Sequence, residues 1–170
     1  MKIRIPAALA AALLFTAPAF ASPGSPKTKT FTVSADVTAN CTIGATDLNF
    51  GSYDPVVANK TTALDVNTSV TVLCTKGSTG VTVGLDTGIH AAGGNRFMSN
   101  GTDSLPYELY SDSVGGTVWA NSGSGLVTWP VFGPIGAGAG VPHTVYGRVP
   151  AGQDVSVGAY TDTVTATVNF

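Results

Sequence analysis

Apolar residues fall on every second position along most of this chain, and this alternation limits the folds that the chain can adopt. One face of the stretch 64–74 collects five such residues, namely Leu64, Val66, Val70, Val72 and Cys74. The same period recurs in VTVGLD (81–86), LPYELYSD (105–112) and HTVYGRVP (143–150). A period of two places alternate side chains on opposite faces of a strand, whereas helical periodicity is nearly absent here. Short strands separated by turn residues predict an all-β sandwich or barrel of antiparallel strands.

The first 21 residues have the three parts of an export signal. Lys2 and Arg4 form a basic head, an apolar run IPAALAAALLF follows, and small residues lead to Ala21. A membrane anchor is the alternative, but the apolar run has about half the length that spans a bilayer. Residues 1–21 are therefore predicted to be a secretory signal peptide, with no membrane anchor and with Ser22 as the first mature residue.

The mature chain has 149 residues, which is enough for one domain with a buried core. The predicted organisation is an N-terminal extension over 22–40 and a β-sandwich domain over 41–170. Six Lys and Arg stand against ten Asp and Glu after the signal is removed, so the net charge is about −4. Because the chain has no basic patch, no nucleic-acid partner is predicted.

The mature chain contains two cysteines, Cys41 and Cys74, which lie 33 positions apart. Export places them in an oxidising compartment, where an even pair most simply forms a disulfide. A metal site is the alternative, but neither cysteine has a nearby histidine. The pair is predicted to be a structural disulfide.

The sequence has few residues arranged for chemistry. Neither His90 nor His143 has a second imidazole or a cysteine at ligand spacing, and no serine lies in a G-x-S-x-G elbow. No catalytic residue, metal or cofactor is therefore predicted. A secreted hydrolase stays open as an alternative, because scattered carboxylates or a histidine could converge in space.

Two alternating stretches lie near the ends of the mature chain. In KTKTFTVSADVTANC (27–41), the residues at alternate positions are Phe31, Val33, Ala35, Val37 and Ala39. In YTDTVTATVNF (160–170), one face carries Tyr160, Val164, Ala166, Val168 and Phe170, with threonines on the other. Each stretch is predicted to be a strand with one apolar face.

Several blocks of the sequence together resemble the spore coat protein U family, the pilin subunits of archaic chaperone-usher pili. They are the alternating strand before Cys41, LNFGSYDP, VTVLCTKG, NRFMSNG, LPYELYSD with Trp119 after it, HTVYGRVPAGQ and GAYTDTVTATVNF. These blocks span essentially all of residues 30–170, and their order and spacing carry the resemblance. Ala120 departs from the glycine that often follows the tryptophan in this family.

The resemblance implies an incomplete immunoglobulin-like β-sandwich that is completed by donor-strand exchange. In this family a periplasmic chaperone first fills the open groove, and the N-terminal strand of the next subunit then replaces it at an outer-membrane usher. The implied donor residues of this chain are Phe31, Val33, Ala35 and Val37. The implied groove edge is the last strand, with Val164, Ala166, Val168 and Phe170 on its inner face. The Phe170 carboxylate is an expected anchor for basic residues of the chaperone.

The expected function is a structural pilin that is exported to the periplasm and then forms a cell-surface pilus supporting adhesion or biofilm formation. The expected partners are the chaperone, the usher and neighbouring pilin subunits, which assemble head to tail. Only Thr38 to Asn40 separate Val37 from Cys41, and this stretch has no Gly, so exchange between subunits is favoured over self-completion.

The alternative within the same fold is a surface-binding adhesin or a spore-coat component. Loops near Trp119 and Trp129 would then contact a surface, whereas the simpler interpretation makes both tryptophans core residues.

Overall fold

The computed structural model describes residue 24 and residues 26–130 and 140–170. The predicted signal peptide, residues 1–21, lies outside these described residues. The chain divides into two units, Met1–Asp36 and Val37–Phe170. In the first unit the described residues form neither helix nor strand. No helix in the described part of the chain is long and apolar enough to cross a membrane.

The second unit is an antiparallel β structure. Its described strands are β1 (Cys41–Ala45), β2 (Leu64–Cys74), β3 (Thr82–Leu85), β4 (Arg96–Ser99), β5 (Ser104–Tyr110), β6 (Val127–Thr128), β7 (Val141–Val149) and β8 (Ala166–Asn169). One five-stranded sheet has the order β1-β2-β7-β5-β4, and one three-stranded sheet has the order β6-β3-β8. The helical content of the described residues is a single 3-10 turn, Gly123–Gly125. The all-β prediction is therefore confirmed.

Alternate residues of the strands form one hydrophobic core. In β5 the buried positions are Leu105, Tyr107 and Leu109, while the residues between them are more exposed. The same pattern holds in β2 and β7, whose buried apolar residues are Val70, Val72, Cys74, Val145 and Val149. In β3, Val83 and Leu85 are buried together with Gly84 between them. Alternation in the sequence thus predicted the faces of these strands correctly.

Two tryptophans anchor the centre of this core. Trp119 is fully buried and donates its indole N–H to the Val83 carbonyl at 2.9 Å. The rings of Trp119 and Trp129 both pack against the His143 imidazole, with centroids 5.0 and 5.3 Å from it. Trp129 is 4% exposed. The prediction that both tryptophans are core residues is confirmed, and a role for them in surface contact is not supported.

A buried arginine joins separate parts of the fold. Arg96 of β4 donates to the backbone carbonyls of Asp86 (2.6 Å) and Trp119 (2.7 Å), and it pairs with the Glu108 carboxylate. A guanidinium group has five N–H donors in a rigid fork, so one side chain can serve several acceptors. Arg96 therefore fixes the turn after β3 and the Trp119 segment against β4.

The disulfide predicted from the cysteine count is present between Cys41 and Cys74. The two residues are also directly opposed in the β1–β2 register. The bond therefore fastens the first residue of the edge strand β1 to the last residue of β2.

Replacing both cysteines by alanine is expected to lower the free energy of unfolding by about 3 to 4 kcal/mol, because the closed loop of 33 residues restricts the unfolded chain. Urea denaturation followed by tryptophan fluorescence measures the change. A reducing agent should destabilise the wild type by a similar amount and leave the double variant unchanged. An unaltered wild-type midpoint under reduction would contradict this prediction.

Candidate functional site: an apolar groove beside an unpaired strand edge

A groove of about 1000 Å³ lies over the inner face of the five-stranded sheet. Its floor is built from core residues of β2, β5 and β7, namely Val70, Leu105, Tyr107, Leu109, Val145 and Val149. Outside the strands, residues 46–53 and 155–164 provide most of the remaining lining. We call residues 46–53 the N-wall, and residues 155–165, which include the adjoining Thr165, the C-wall. The groove is thus an apolar floor between two extended stretches of chain.

The N-wall is held by side chains that press onto the floor. An atom added at the Cβ position of Gly147 in β7 would lie 2.8 Å from Leu48 Cδ1 and 3.0 Å from Phe50 Cζ. The Phe50 ring also packs edge-on against Tyr107, with centroids 6.2 Å apart. Gly147 therefore leaves the space that lets the N-wall approach the sheet. The sequence predicted an extended run here but not its position in the groove.

The C-wall is paired along one backbone edge. Thr161 exchanges two hydrogen bonds with Ser99, at 2.9 and 3.1 Å. The Thr163 carbonyl accepts from the amide of Ile89 at 3.2 Å, and Thr165 pairs with Asp86. In an extended strand, successive residues direct their backbone groups to opposite sides. Because the backbone groups of residues 161, 163 and 165 face β4 and the turn after β3, those of Asp162 and Val164 face the opposite side, and both residues line the groove.

The other backbone edge of the C-wall, at Asp162 and Val164, is not paired with a strand in the described residues. Among the described residues, no backbone group bonds to the backbone of Asp162 or Val164. Further along the chain, β8 pairs with β3 on one side and is the last strand of its sheet. An unpaired strand edge is a template for an additional strand. The groove therefore combines an apolar floor with free backbone donors and acceptors.

The four residues predicted to form the groove edge occupy different environments. Val164 lines the groove. Ala166 and Val168 of β8 are partly buried against the core, and β8 lies close to β1 here, with Cα atoms within 8 Å. Phe170 is 58% exposed. The groove of this structure is thus bounded by residues preceding β8 more than by β8 itself.

The predicted donor residues lie in a stretch without strand structure. Phe31, Val33 and Val37 are 83 to 85% exposed, and Ala35 is also exposed. Residues 26–40 are assigned to no strand. Whether these side chains enter the groove of another subunit stays a prediction.

A buried carboxylate lies where the C-wall meets the floor. The Asp162 side chain is 2% exposed. Its Oδ2 accepts the Tyr107 hydroxyl at 2.6 Å, and its Oδ1 accepts the His90 backbone N–H at 3.1 Å. His90 Nδ1 is also 3.1 Å from Oδ1. Burial, together with the hydrogen bond to Asp162, raises the pKa of Tyr107 well above its ordinary value, so the phenol stays a donor.

This cluster is the convergence of a histidine and a carboxylate that the hydrolase alternative requires. The contacts of Asp162 are with a phenol and an imidazole, and no serine or threonine hydroxyl is bonded to His90 in the described part of the chain. Residues 26–130 and 140–170 also contain no group of three potential metal ligands. The cluster therefore has the geometry of a structural hydrogen-bond network. Sequence reasoning missed it because His90, Tyr107 and Asp162 lie far apart in the chain.

Gly147→Val is expected to push the N-wall off the floor and to lower the free energy of unfolding by about 1 to 3 kcal/mol, as overpacking does in other cores. Gly44→Val is the matched control, since no atom lies within 4 Å of a Cβ placed there and valine favours strands. Urea denaturation of both variants measures the difference. Equal stability of the two variants would show that the N-wall is not held against Gly147.

Comparison with known proteins agrees with this architecture. A relative, Protein U of Myxococcus xanthus, is 40% identical over 150 residues, which cover 80% of each chain. A solved structure, the CsuC-CsuE chaperone-tip adhesion subunit pre-assembly complex from archaic chaperone-usher Csu pili of Acinetobacter baumannii, contains a similar chain. That match has a TM-score of 0.52 and 22% identity, and it covers 79% of this chain and 40% of the other.

The structural match supports the immunoglobulin-like form of the β-sandwich. Neither relative is described as an enzyme. The model of the Spore Coat Protein U domain matches residues 27–167, a span that includes both walls and the floor of the groove. The chain therefore belongs to the Spore Coat Protein U domain family.

Proposed function

We propose that this protein is a structural subunit of a chaperone-usher surface pilus, in which the N-terminal segment of one copy fills the groove of the next. The observation that carries the proposal is the C-wall, whose backbone edge at Asp162 and Val164 is unpaired beside an apolar floor. An added strand would satisfy these backbone groups and place its apolar side chains against the lining of the groove.

The proposed donor segment matches the groove in length. Seven residues from Phe31 to Val37 extend over about 20 Å at 3.3 Å per residue. The chain bends at Val157 and Gly158, so the straight part of the C-wall is residues 159–165, which extend over about 20 Å at the same rise. The donor segment therefore has about the length of this straight part.

The apolar side chains of the donor segment would also gain free energy by entering the groove. Phe31, Val33 and Val37 are largely exposed, so inserting them would remove their apolar surface from water. Burying each of these three side chains contributes roughly 1.5 to 3 kcal/mol, which gives on the order of 5 to 9 kcal/mol before ordering costs. Backbone pairing along the C-wall adds to this attraction.

Chain connectivity favours exchange between copies over self-completion. Only three residues separate Val37 from Cys41, which begins β1 and is fixed to β2 by the disulfide. The segment 38–40 contains no Gly for a tight reversal. Exchange of this kind places different surfaces in contact, and such heterologous contacts build a fibre.

Assembly of such a subunit requires partners. An apolar groove with an open edge would aggregate if it stayed empty, so a periplasmic chaperone would cover it before polymerisation. An outer-membrane usher would then exchange the chaperone for the next subunit. In this proposal the protein is exported by its signal peptide and ends in a cell-surface fibre that supports adhesion or biofilm formation. The chaperone-subunit complex of Csu pili supports the first of these partners by analogy of fold.

A second candidate is a spore-coat component, which the family description and the 40% identity to Protein U favour. A coat component would be recovered from purified spore coats, whereas a pilin would be recovered from fibres sheared off the cell surface.

Val33→Asp is expected to abolish polymers, because the substitution would bury an unpaired charge in the groove of the neighbour. Ser34→Asp is the matched control, since residue 34 lies on the opposite face of the alternating segment. Both variants should be exported and should accumulate with the chaperone to wild-type levels. The measurement is electron microscopy of surface fibres together with the ladder of polymers on unheated denaturing gels. Normal fibres from the Val33→Asp variant would overturn the donor-strand proposal.

A further inference from the structure

We propose that Asp162 is a positioning residue that holds the C-wall ready to receive the incoming strand. This inference rests on the proposed function, because it concerns how the empty groove keeps its shape. Asp162 belongs to the C-wall, and the Tyr107 hydroxyl that it binds comes from β5 in the floor. A single carboxylate thus joins the wall to the floor.

The position of the Asp162 carboxylate is defined by three donors from two distant segments. The hydroxyl of Tyr107 binds Oδ2, and the backbone N–H and Nδ1 of His90 both lie 3.1 Å from Oδ1. The turn that carries His90 also makes room for the carboxylate. A Cβ at Gly88 would lie 1.9 Å from Oδ2, and Gly88 has φ of +83°, which favours glycine. The surrounding turn is therefore shaped around this side chain.

Among the described residues, no Lys or Arg forms a direct ion pair with Asp162. Arg96 is bonded to Glu108 and to backbone carbonyls, and the Asp86 carboxylate accepts backbone N–H groups of Gly88 and Thr165. Asp162 is therefore stabilised chiefly by hydrogen bonds, and their geometry determines where the C-wall sits. Apolar contacts alone would permit sliding, whereas a buried and fully bonded polar group specifies one arrangement.

The C-wall needs this constraint while the groove is empty. One of its backbone edges is paired through residues 161, 163 and 165, and the edge at residues 162 and 164 has no partner in the described structure. A wall held in the bound arrangement loses less conformational entropy when the strand arrives, so preorganisation raises affinity. Loosening the wall should therefore weaken binding of the strand as well as lower stability.

This consequence separates a positioning role from a purely structural role. If the Asp162 bonds only stabilise the fold, their loss destabilises the empty and filled forms equally, and the dissociation constant for the strand is unchanged. If they position the C-wall, the C-wall of a variant with an empty groove is less ordered than that of the wild type, and binding of the strand must restore the order. The dissociation constant then rises, chiefly through a slower association rate.

The test uses the full mature chain at nanomolar concentration and a fluorescent peptide with the sequence of residues 27–40. Asp162→Asn removes the charge and replaces one acceptor oxygen by an NH2 donor, so the charge-assisted hydrogen bonds from Tyr107 and His90 are not all retained. Tyr107→Phe keeps the ring in the floor and removes only the hydroxyl. Fluorescence anisotropy measures affinity and association rate, and hydrogen exchange at the amides of Thr161 and Thr165 measures the order of the C-wall.

Both variants are expected to bind the peptide about tenfold more weakly than the wild type, in line with the loss of one hydrogen bond to a charged group. Exchange at the two amides should be faster in the empty variants and should return to the wild-type rate when peptide is bound. Asp65→Asn is the matched control, since Asp65 accepts two 2.7 Å hydrogen bonds from Arg148 and does not line the groove. It should change affinity less than twofold.

Unchanged affinity of Asp162→Asn and Tyr107→Phe, with binding by the wild type intact, would overturn the positioning role and leave the proposed function standing. Failure of the wild type itself to bind the peptide would instead contradict the proposed function and, with it, the inference.

Discussion

The backbone of the C-wall is the constraint on which the rest of the molecule depends. Peptide groups next to a hydrophobic core are costly to leave without hydrogen bonds, and most folds pair them within one chain. Here residues 161, 163 and 165 are paired, whereas residues 162 and 164 face a groove. The second layer of the sandwich has only the strands β6, β3 and β8 in the described residues, against five in the first. The part of the larger sheet beyond these three strands is the groove floor, which the N-wall and the C-wall bury.

The remainder of the core keeps this opening in one place. Trp119 and Trp129 pack around His143 at 5.0 and 5.3 Å, and Arg96 ties β4 to the turn after β3. These contacts involve large or charged groups that fit only one arrangement, so they hold the two sheets together. The disulfide does the same for the edge strand β1. The sandwich can therefore stay folded around a groove that lies beyond β6, β3 and β8 and is lined by the two walls.

Local pattern was enough to predict the strands and their inward faces, because alternation depends only on neighbouring residues. It placed Val70, Tyr107 and Val145 correctly in the core. The predicted export of the chain to an oxidising compartment was enough to predict the Cys41–Cys74 disulfide. Local pattern could not place Leu48 and Phe50 against Gly147, nor bring Asp162 to Tyr107, since those contacts join segments 55 or more residues apart. It also could not show that the C-wall, ahead of β8, forms most of the groove's edge. Such long-range contacts depend on the whole topology.

The segment 27–40 poses the reverse problem, because its pattern is that of a buried strand and its environment is solvent. Phe31, Val33 and Val37 are as apolar as the buried residues of β2, yet they are 83 to 85% exposed. An alternating apolar segment exposed to this extent favours aggregation unless it has a specific acceptor. In the proposed function, the acceptor for this segment is the groove beside the unpaired edge of the C-wall. A donor and an acceptor on one chain would then give a polymer if the connection between them were too short for self-insertion, and only residues 38–40 intervene before β1. Under that proposal the length of this connection, more than the affinity of the groove, decides between a closed monomer and a fibre.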